Sequence, residues 1–438
     1  MYKRIRSRIV LLLLLTVYSL SGCSTEDFLS EVPLTMQAVL EETSPKDERS
    51  KDGGFAIEAD ETLSEMTGLE AGKTESQSQS ETVSVSGEDR ESLPEEGFGY
   101  CYNSLSAEEQ IWYEDILQAL GGMVDQITLS EQALQAGLDE SCIDKIFQCV
   151  LNDHPEIFYV DGYTYTQYSR GEQIVSIVFE GNYLLSPEEV SVRRQEIDCA
   201  LQPILAGIDT MASDYDKVKY VYETIILNTE YDLNAPDNQN IYSVFVGGSS
   251  VCQGYAKATQ YLLNCLGVEC VLVQGRVDSG EGHAWNLVHV DGSYYYIDTT
   301  WGDPSYLLDD GVDSEGLFLP EINYDYFCVT TEQLLCTHIL ENVVSLPECV
   351  DTAANYYVRQ GALFDSYDKE QMSSLFARAF EENRGDVTVK CVDEECYLQI
   401  KEALIDNQEI FEYLSEDEIS VSYTNNDKQL SLTFWVTN

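Results

Sequence analysis

Positive charge is scarce in this sequence: 24 Lys and Arg stand against 78 Asp and Glu in 438 residues, a net charge of −54. Binding a phosphate backbone requires clustered cations, so this balance excludes nucleic acid as a partner. Histidine is scarcer still. With four in the chain, imidazole chemistry must choose among His154, His283, His289 and His338. The apolar run Ile9 to Val17 falls well short of the roughly 20 residues that cross a bilayer as a helix. The 13 cysteines are too dilute for a small disulfide scaffold, and their odd number leaves at least one without an internal partner. Four residues separate Cys265 from Cys270 and Cys391 from Cys396, which is not the CxxC spacing of a structural zinc site. No metal and no cofactor is expected.

What is present is enough to fold. Hydrophobic residues make up 44% of the chain and aromatics 11%, so a sizeable core can form, and the length predicts two or three domains. Residues 1–22 read as an export signal: Lys3, Arg4, Arg6 and Arg8 precede the apolar run. The signal ends in Leu20-Ser21-Gly22-Cys23, which resembles the lipobox of bacterial lipoproteins. That resemblance implies lipid on Cys23 and anchoring on the extracytoplasmic face of a bacterial membrane, each buried CH₂ contributing about 0.8 kcal/mol. Between Ser24 and Tyr100 lie 20 acidic and 5 basic residues. Residues 23–97 therefore read as a disordered acidic tether, too polar to offset chain entropy and extended by its own repulsion.

Residues 98–212 carry the signals of an N-terminal α+β domain. Ser106-Ala107-Glu108-Glu109 has the form of a helix start, as does Ser186-Pro187-Glu188-Glu189. Ile157 to Tyr168 and Ile174 to Phe179 have strand composition. His154, before Pro155, reads as structural. Residues 346–438 form an α+β accessory domain. Its signals are strand-like Asn355 to Gln360, helix-like Lys369 to Phe380, strand-like Val387 to Val392, a second helix, and strands near Ile419 and Leu430.

The chemistry lies between, in residues 213–345. After the loop Gly247-Gly248-Ser249-Ser250, apolar residues recur at Val251, Tyr255, Ala258, Leu262, Cys265 and Leu266, a helical spacing that ends at Gly267. Cys252 thus lies in the first turn of a buried helix, where unpaired amides and the macrodipole favour a thiolate. The small-residue loop before it is expected to be flexible and to leave the sulfur approachable. Further on, Asp291-Gly292 between two β-rich runs predicts a two-residue hairpin. Its register faces Val290 with Ser293, Trp285 with Asp298 and His283 with Thr300. His283 and Asp298 then share a face as diagonal neighbours, about 7–8 Å apart at the backbone. A carboxylate there can hold one imidazole nitrogen while the other takes a proton from a cysteine. A one-residue slip would turn Asp298 to the opposite face.

Cys252 in Val-Cys-Gln-Gly-Tyr-Ala, His283 in Gly-His-Ala-Trp-Asn and Asp298 in Tyr-Ile-Asp-Thr-Thr-Trp resemble the transglutaminase-like superfamily of papain-related thiol enzymes. The resemblance covers about residues 213 to 330, including a lead-in helix after Ser213 and a turn at Glu230-Tyr231-Asp232. It implies an α+β core in which the cysteine helix packs on an antiparallel sheet carrying the His and the Asp. Members cleave or transfer acyl groups at amide bonds through a thioester. By motif, Cys252 is the nucleophile, His283 the general base and then acid, and Asp298 the orienting carboxylate. Animal transglutaminases add β-sandwich domains and use calcium; neither that architecture nor a calcium loop is visible here, so glutamine–lysine crosslinking is not implied.

For the oxyanion, the amide of Cys252 is one expected donor, with Tyr242, Gln239 or Asn240 as a second and Tyr242 preferred. Trp285 and Trp301 are expected to wall the cleft, and His289, beside the turn, to be structural. Asp303 and the run Asp309, Asp310, Asp313 and Glu315 read as an exposed acidic loop rather than a calcium site. The expected function is a surface-anchored thiol peptidase, amidase or acyltransferase acting on peptides, cell-envelope peptides among them. The alternative is a non-catalytic surface binding or scaffold protein that keeps the fold.

Overall fold

The computed structural model describes residues 99–170, 173–304, 320–414 and 421–436. The export signal, Cys23, the tether and the run Asp309, Asp310, Asp313 and Glu315 lie outside them. Among the described residues no helix is long and apolar enough to cross a membrane.

Helix α1 (Ala107–Gly121) begins at a reciprocal cap: Glu109 N donates to Ser106 Oγ at 3.2 Å, and Ser106 N donates to the Glu109 carboxylate at 2.9 Å. Caps of this kind contribute about 1 kcal/mol. Trp112, Ile116 and Leu120 form its buried face, in one core with Ile146 and Val150 of α2 (Ile143–Asp153). Strands β1 (Ile127–Thr128), β2 (Val160–Arg170) and β3 (Gln173–Tyr183) form an antiparallel sheet in the order β1-β3-β2. Helix α3 (Pro187–Leu205) opens on the same reciprocal cap, Ser186 with Glu189, and has Pro187 at its first position.

The second sheet positions the candidate site. It comprises β4 (Cys270–Val277), β5 (Gly282–Val290), β6 (Ser293–Ile297), β7 (Phe327–Val329) and β8 (His338–Leu340), in the order β8-β4-β5-β6-β7 with every neighbour antiparallel. Helices α4 (Asp214–Asn228) and α5 (Cys252–Cys265) pack with it. Ala256 of α5 meets Leu272 and Ala284, and Asn286 Nδ2 donates to Ala256 O at 2.9 Å. The odd-numbered Trp285 and Leu287 bury themselves with Val271, Val273, Tyr296 and Leu334. Because both faces of β5 are covered, its residues are buried almost without interruption. Glu230 and Tyr231, expected in a turn, instead pair in parallel with Ser249 and Ser250.

The last unit has its own sheet, β9 (Leu363–Phe364), β10 (Asp386–Cys391), β11 (Ser422–Asn426) and β12 (Ser431–Trp435), ordered β9-β10-β12-β11. Helices α6 (Lys369–Glu381) and α7 (Glu394–Lys401) complete its core, which runs from Tyr357 to Val436. The larger core runs from Cys101 to Ala354 and is shared by α1–α5. Asn355 to Gln360 is not a strand. It contains the one-turn helix Tyr356–Arg359, because Asn355 Oδ1 accepts from Tyr357 N at 3.0 Å and Val358 N at 3.4 Å. That cap outweighs the strand preference of Tyr-Tyr-Val. The 12 described cysteines are free thiols.

Candidate active site

Cys252 is the first residue of α5 and is half-buried. Its N-cap is Val251, which has no side-chain oxygen to offer, and the Val251 carbonyl accepts from Gly254 N and Tyr255 N. The amides of Cys252 and Gln253 precede the first possible intrahelical acceptor and point out of the helix. The loop before the cysteine is tied rather than flexible. Ser250 Oγ donates to Asn238 O at 2.7 Å and also lies 2.7 Å from Ser243 Oγ.

Asp291 and Gly292 have φ of 51° and 92°, the left-handed pair that a tight hairpin needs and that glycine adopts without strain. The turn fixes Val290 opposite Ser293, and the ladder runs without a slip to Asn286 opposite Ile297. There β6 ends. The expected pairing of His283 with Thr300 does not form, because residues 298–302 turn away: Gly302 N donates to Asp298 O. His283 pairs instead with Gly275 of β4. Asp298, one residue past the ladder, still lies on the face of Trp285 and His283, and His283 Nε2 stands 2.8 Å from Asp298 Oδ2.

Four donors converge on that carboxylate. Thr300 N and Trp301 N donate to Oδ1 at 2.9 and 3.1 Å, while His283 Nε2 and His338 Nε2 meet Oδ2 at 2.8 and 3.2 Å. All three side chains are buried. Burial by itself would push the Asp298 carboxyl up, but the charge and hydrogen bond of His283, with the His338 bond, hold it well below the usual carboxylate range. Burial would likewise depress His283. The facing carboxylate outweighs it and, with the adjoining Cys252 thiol, raises the ring to about 10. His338 is depressed, chiefly by burial and against the pull of the same carboxylate. The two imidazoles compete for one counter-charge, and the proton belongs to His283. Its Nδ1 is buried with no hydrogen-bond partner among the described residues. This is the nitrogen left for the thiol of Cys252, which is close enough to help raise the ring.

His283, Asp298 and His338 have the donor types of a metal centre, their nearest ligand atoms all lying within 4.8 Å of one another. Both Nε2 atoms, however, are aimed at the carboxylate oxygen itself, and the hydrogen-bonded network accounts for all three without an ion.

His338 carries no motif in the sequence; it reaches the site on β8, through a pairing with β4 that no turn signal announces. Tyr242, the preferred second oxyanion donor, is elsewhere. Its hydroxyl is 2.8 Å from the Glu196 carboxylate, and the Arg193 guanidinium lies 4.4 Å over its ring, so α3 claims it. Asn240, a second candidate, accepts from Tyr242 N. Trp285 does not wall a cleft: it is fully buried, 5.8 Å from the His283 ring between centroids. Trp301 is nearly buried, 5.7 Å from His283 and 4.7 Å from His338. Asp303, expected in an exposed loop, is buried and accepts from the Tyr255 hydroxyl at 2.7 Å. His154 meets Glu156, and His289 packs on Tyr294.

A cysteine at a helix start thus stands with a buried imidazole and carboxylate supplied by an antiparallel sheet, in an α+β core. Residues 203–299, which include Cys252, His283 and Asp298, match the Transglutaminase-like superfamily. Residues 203–299 are thus similar to a transglutaminase-like domain. The chain is 26% identical over 161 residues to the Kyphoscoliosis peptidase of Homo sapiens, covering 31% of this chain and 24% of that protein. It is 29% identical over 106 residues to the Kyphoscoliosis peptidase of Mus musculus, covering 20% and 16%. The matched stretches therefore span a quarter or less of these relatives. Among solved structures, a TGase overlaps 36% of this chain and 49% of its own, with 16% identity and a TM-score of 0.24. The periplasmic domain of TgpA from Pseudomonas aeruginosa overlaps 30% and 55%, with 17% identity and a TM-score of 0.20.

Proposed function

We propose that the protein is a thiol enzyme that attacks peptide-type amide bonds through a thioester on Cys252. The observation that carries this reading is the buried His283–Asp298 pair at 2.8 Å, with Nδ1 unpartnered beside the thiol. In the proposed cycle the Cys252 proton is held on Nδ1 of the raised His283 ring, and the sulfur attacks the carbonyl carbon. The resulting oxyanion is met by the amide of Cys252 at the uncapped helix start. The imidazolium then protonates the departing amine, the C–N bond breaks and a thioester remains. Water, deprotonated by His283, releases the acid; an amine in its place gives acyl transfer. Asp298 keeps the ring in the tautomer this requires and offsets the imidazolium charge.

The export signal and lipobox support a position on the extracytoplasmic face of a bacterial membrane, anchored through lipid on Cys23, with cell-envelope peptides as substrates. The acidic chain attracts cationic peptides. The test is incubation of the purified protein with a peptide library and with peptidoglycan fragments, read by mass spectrometry. Products that appear with wild type and vanish with Cys252→Ala are expected; equal turnover by that variant overturns the reading. Cys23→Ala is expected to move the protein from the membrane fraction into the medium.

A further inference from the structure

The site does not end at Asp298. His338 Nε2 stands 3.2 Å from Asp298 Oδ2, and its Nδ1 is 2.8 Å from Thr337 Oγ1. An ionised carboxylate can only accept, so Nε2 carries the proton of this neutral ring and donates it to Asp298. Nδ1 must then accept, and it takes the hydroxyl proton of Thr337. The Thr337 oxygen in turn lies 3.4 Å from the hydroxyl of Tyr326. Tyr326 Oη receives Gln429 Nε2 at 3.2 Å, and Gln429 Oε1 receives Lys390 Nζ at 3.1 Å. Lys390 also reaches Asp325 Oδ1 at 3.0 Å, and Ser431 Oγ donates to Asp325 Oδ2 at 2.8 Å.

Lys390 stands on β10 and Ser431 on β12, with Gln429 just before it. A buried polar path therefore leads from the sheet of the C-terminal unit to the carboxylate of the proposed triad. Trp285, Trp301 and Tyr326 pack around the His338 ring at 4.8, 4.7 and 5.5 Å between centroids. The ring has little room to turn away. The titratable and charged groups that face it are Asp298, His283 and Tyr326, with the Leu334 carbonyl beside it.

We infer that His338 is the positioning residue for Asp298, and that the C-terminal unit takes part in the site by holding His338 through Gln429, Tyr326 and Thr337. The inference deepens the thiol-enzyme reading and rests on it for its catalytic meaning. A buried carboxylate with three donors can swing about its Cα–Cβ bond. The fourth pins Oδ2 on the His283 axis, and small misplacements in such arrays cost rate steeply.

The test uses the full chain with histidine labelled in nitrogen-15; the four histidines make assignment by substitution tractable. Two readouts are taken from about pH 5 to about pH 10, the span over which a His ring between its ordinary and raised values titrates. They are the His283 ring titration, and the rate at which iodoacetamide alkylates the half-buried Cys252, resolved by peptide mass because Cys199 and Cys336 are exposed. His338→Ala is expected to shift the His283 midpoint and to slow Cys252 alkylation at neutral pH on the order of tenfold. His338→Gln, whose side-chain amide can donate to Asp298, is expected to stay within about twofold of wild type, and Gln429→Ala to move both readouts the same way by less. A His338→Ala protein that melts cooperatively yet keeps the wild-type titration and alkylation profile overturns the inference. So does a His338→Gln protein as impaired as His338→Ala. If no amide is turned over by wild type but the His283 titration still answers to His338, the proposed chemistry fails and the positioning stands. Amide turnover with an unmoved titration means that the chemistry stands and the positioning fails.

Discussion

His283 and Asp298 meet at 2.8 Å across the open end of a hairpin whose ladder stops one residue before the carboxylate. The hairpin brings Asp298 to the correct face, and the turn that follows frees it from strand pairing so that Thr300 N, Trp301 N and two imidazoles can all reach it. A residue within the ladder would have its backbone held but its side chain limited to cross-strand neighbours.

Asp298→Asn preserves size but replaces two acceptor oxygens by one oxygen and an amide donor. The His283 Nε2–H then faces a group that can also donate, and the ring is free to settle in the wrong tautomer. A fall in kcat of about 10²- to 10⁴-fold is expected with little change in fold. Steady-state kinetics beside circular dichroism would check it; activity within a few-fold of wild type would contradict the orienting role.

The pH dependence of stability follows from His283. Its ring is raised to about 10 in the folded protein, above its ordinary value of about 6.5. The contribution of the ion pair is therefore complete below about pH 6.5 and is lost as pH climbs toward 10. His283→Gln keeps a donor to Asp298 but no charge. Wild type should exceed this variant in urea stability most at about pH 6, and the gap should shrink toward pH 10. A gap that widens with pH would refute the assignment.

Tyr242→Phe removes a hydroxyl committed to Glu196. Amide turnover is expected to stay within about twofold of wild type, since an oxyanion donor would cost about 10²- to 10³-fold on removal. A loss of that larger size, measured as kcat, would return Tyr242 to the oxyanion hole.

Gly275 pairs with His283, and a Cβ built there would lie 2.0 Å from Ile339 O and 2.7 Å from Trp285 Cη2. Gly275→Ala must push β8, and His338 with it, away from β4. Destabilisation of about 1–3 kcal/mol is expected, as for other overpacked interiors, measured by urea denaturation. An unchanged midpoint would mean that β8 is not held where the structure places it.

Much of the core is legible in the sequence because its signals are local. The helix at Cys252 follows from apolar spacing across 16 residues, and the register of β5 with β6 from a two-residue turn whose backbone only a few residues adopt. The caps at Ser106 and Ser186 are equally local. Contacts that depend on distant pairings are not legible. His338 is 40 residues from Asp298 and Gln429 is 103 from Tyr326, and no intervening motif fixes either approach. The one signal available for His338 is scarcity: among four histidines it alone has no role assigned by its neighbours. Tyr242 misleads because proximity in sequence to the cysteine says nothing of which way a side chain points, and Glu196 and Arg193 on α3 are placed to capture it. Asn355 shows local chemistry opposing local propensity, a single carboxamide turning a strand-like run into a helical turn.

The seam between Asp325 and Lys390 bears on where this protein can be divided. The family match ends at residue 299, and a fragment trimmed there, or near residue 345, would look natural from sequence. A fragment ending near 345 would leave Asp325 buried without its cation and strip Tyr326 of the Gln429 amide; breaking a buried pair in this way costs about 3–5 kcal/mol. The smallest piece that retains every polar contact around Asp298 and Asp325 extends through Ser431. Screens that express only the family-matched stretch would lack Asp325, Tyr326 and three of the four donors that hold Asp298.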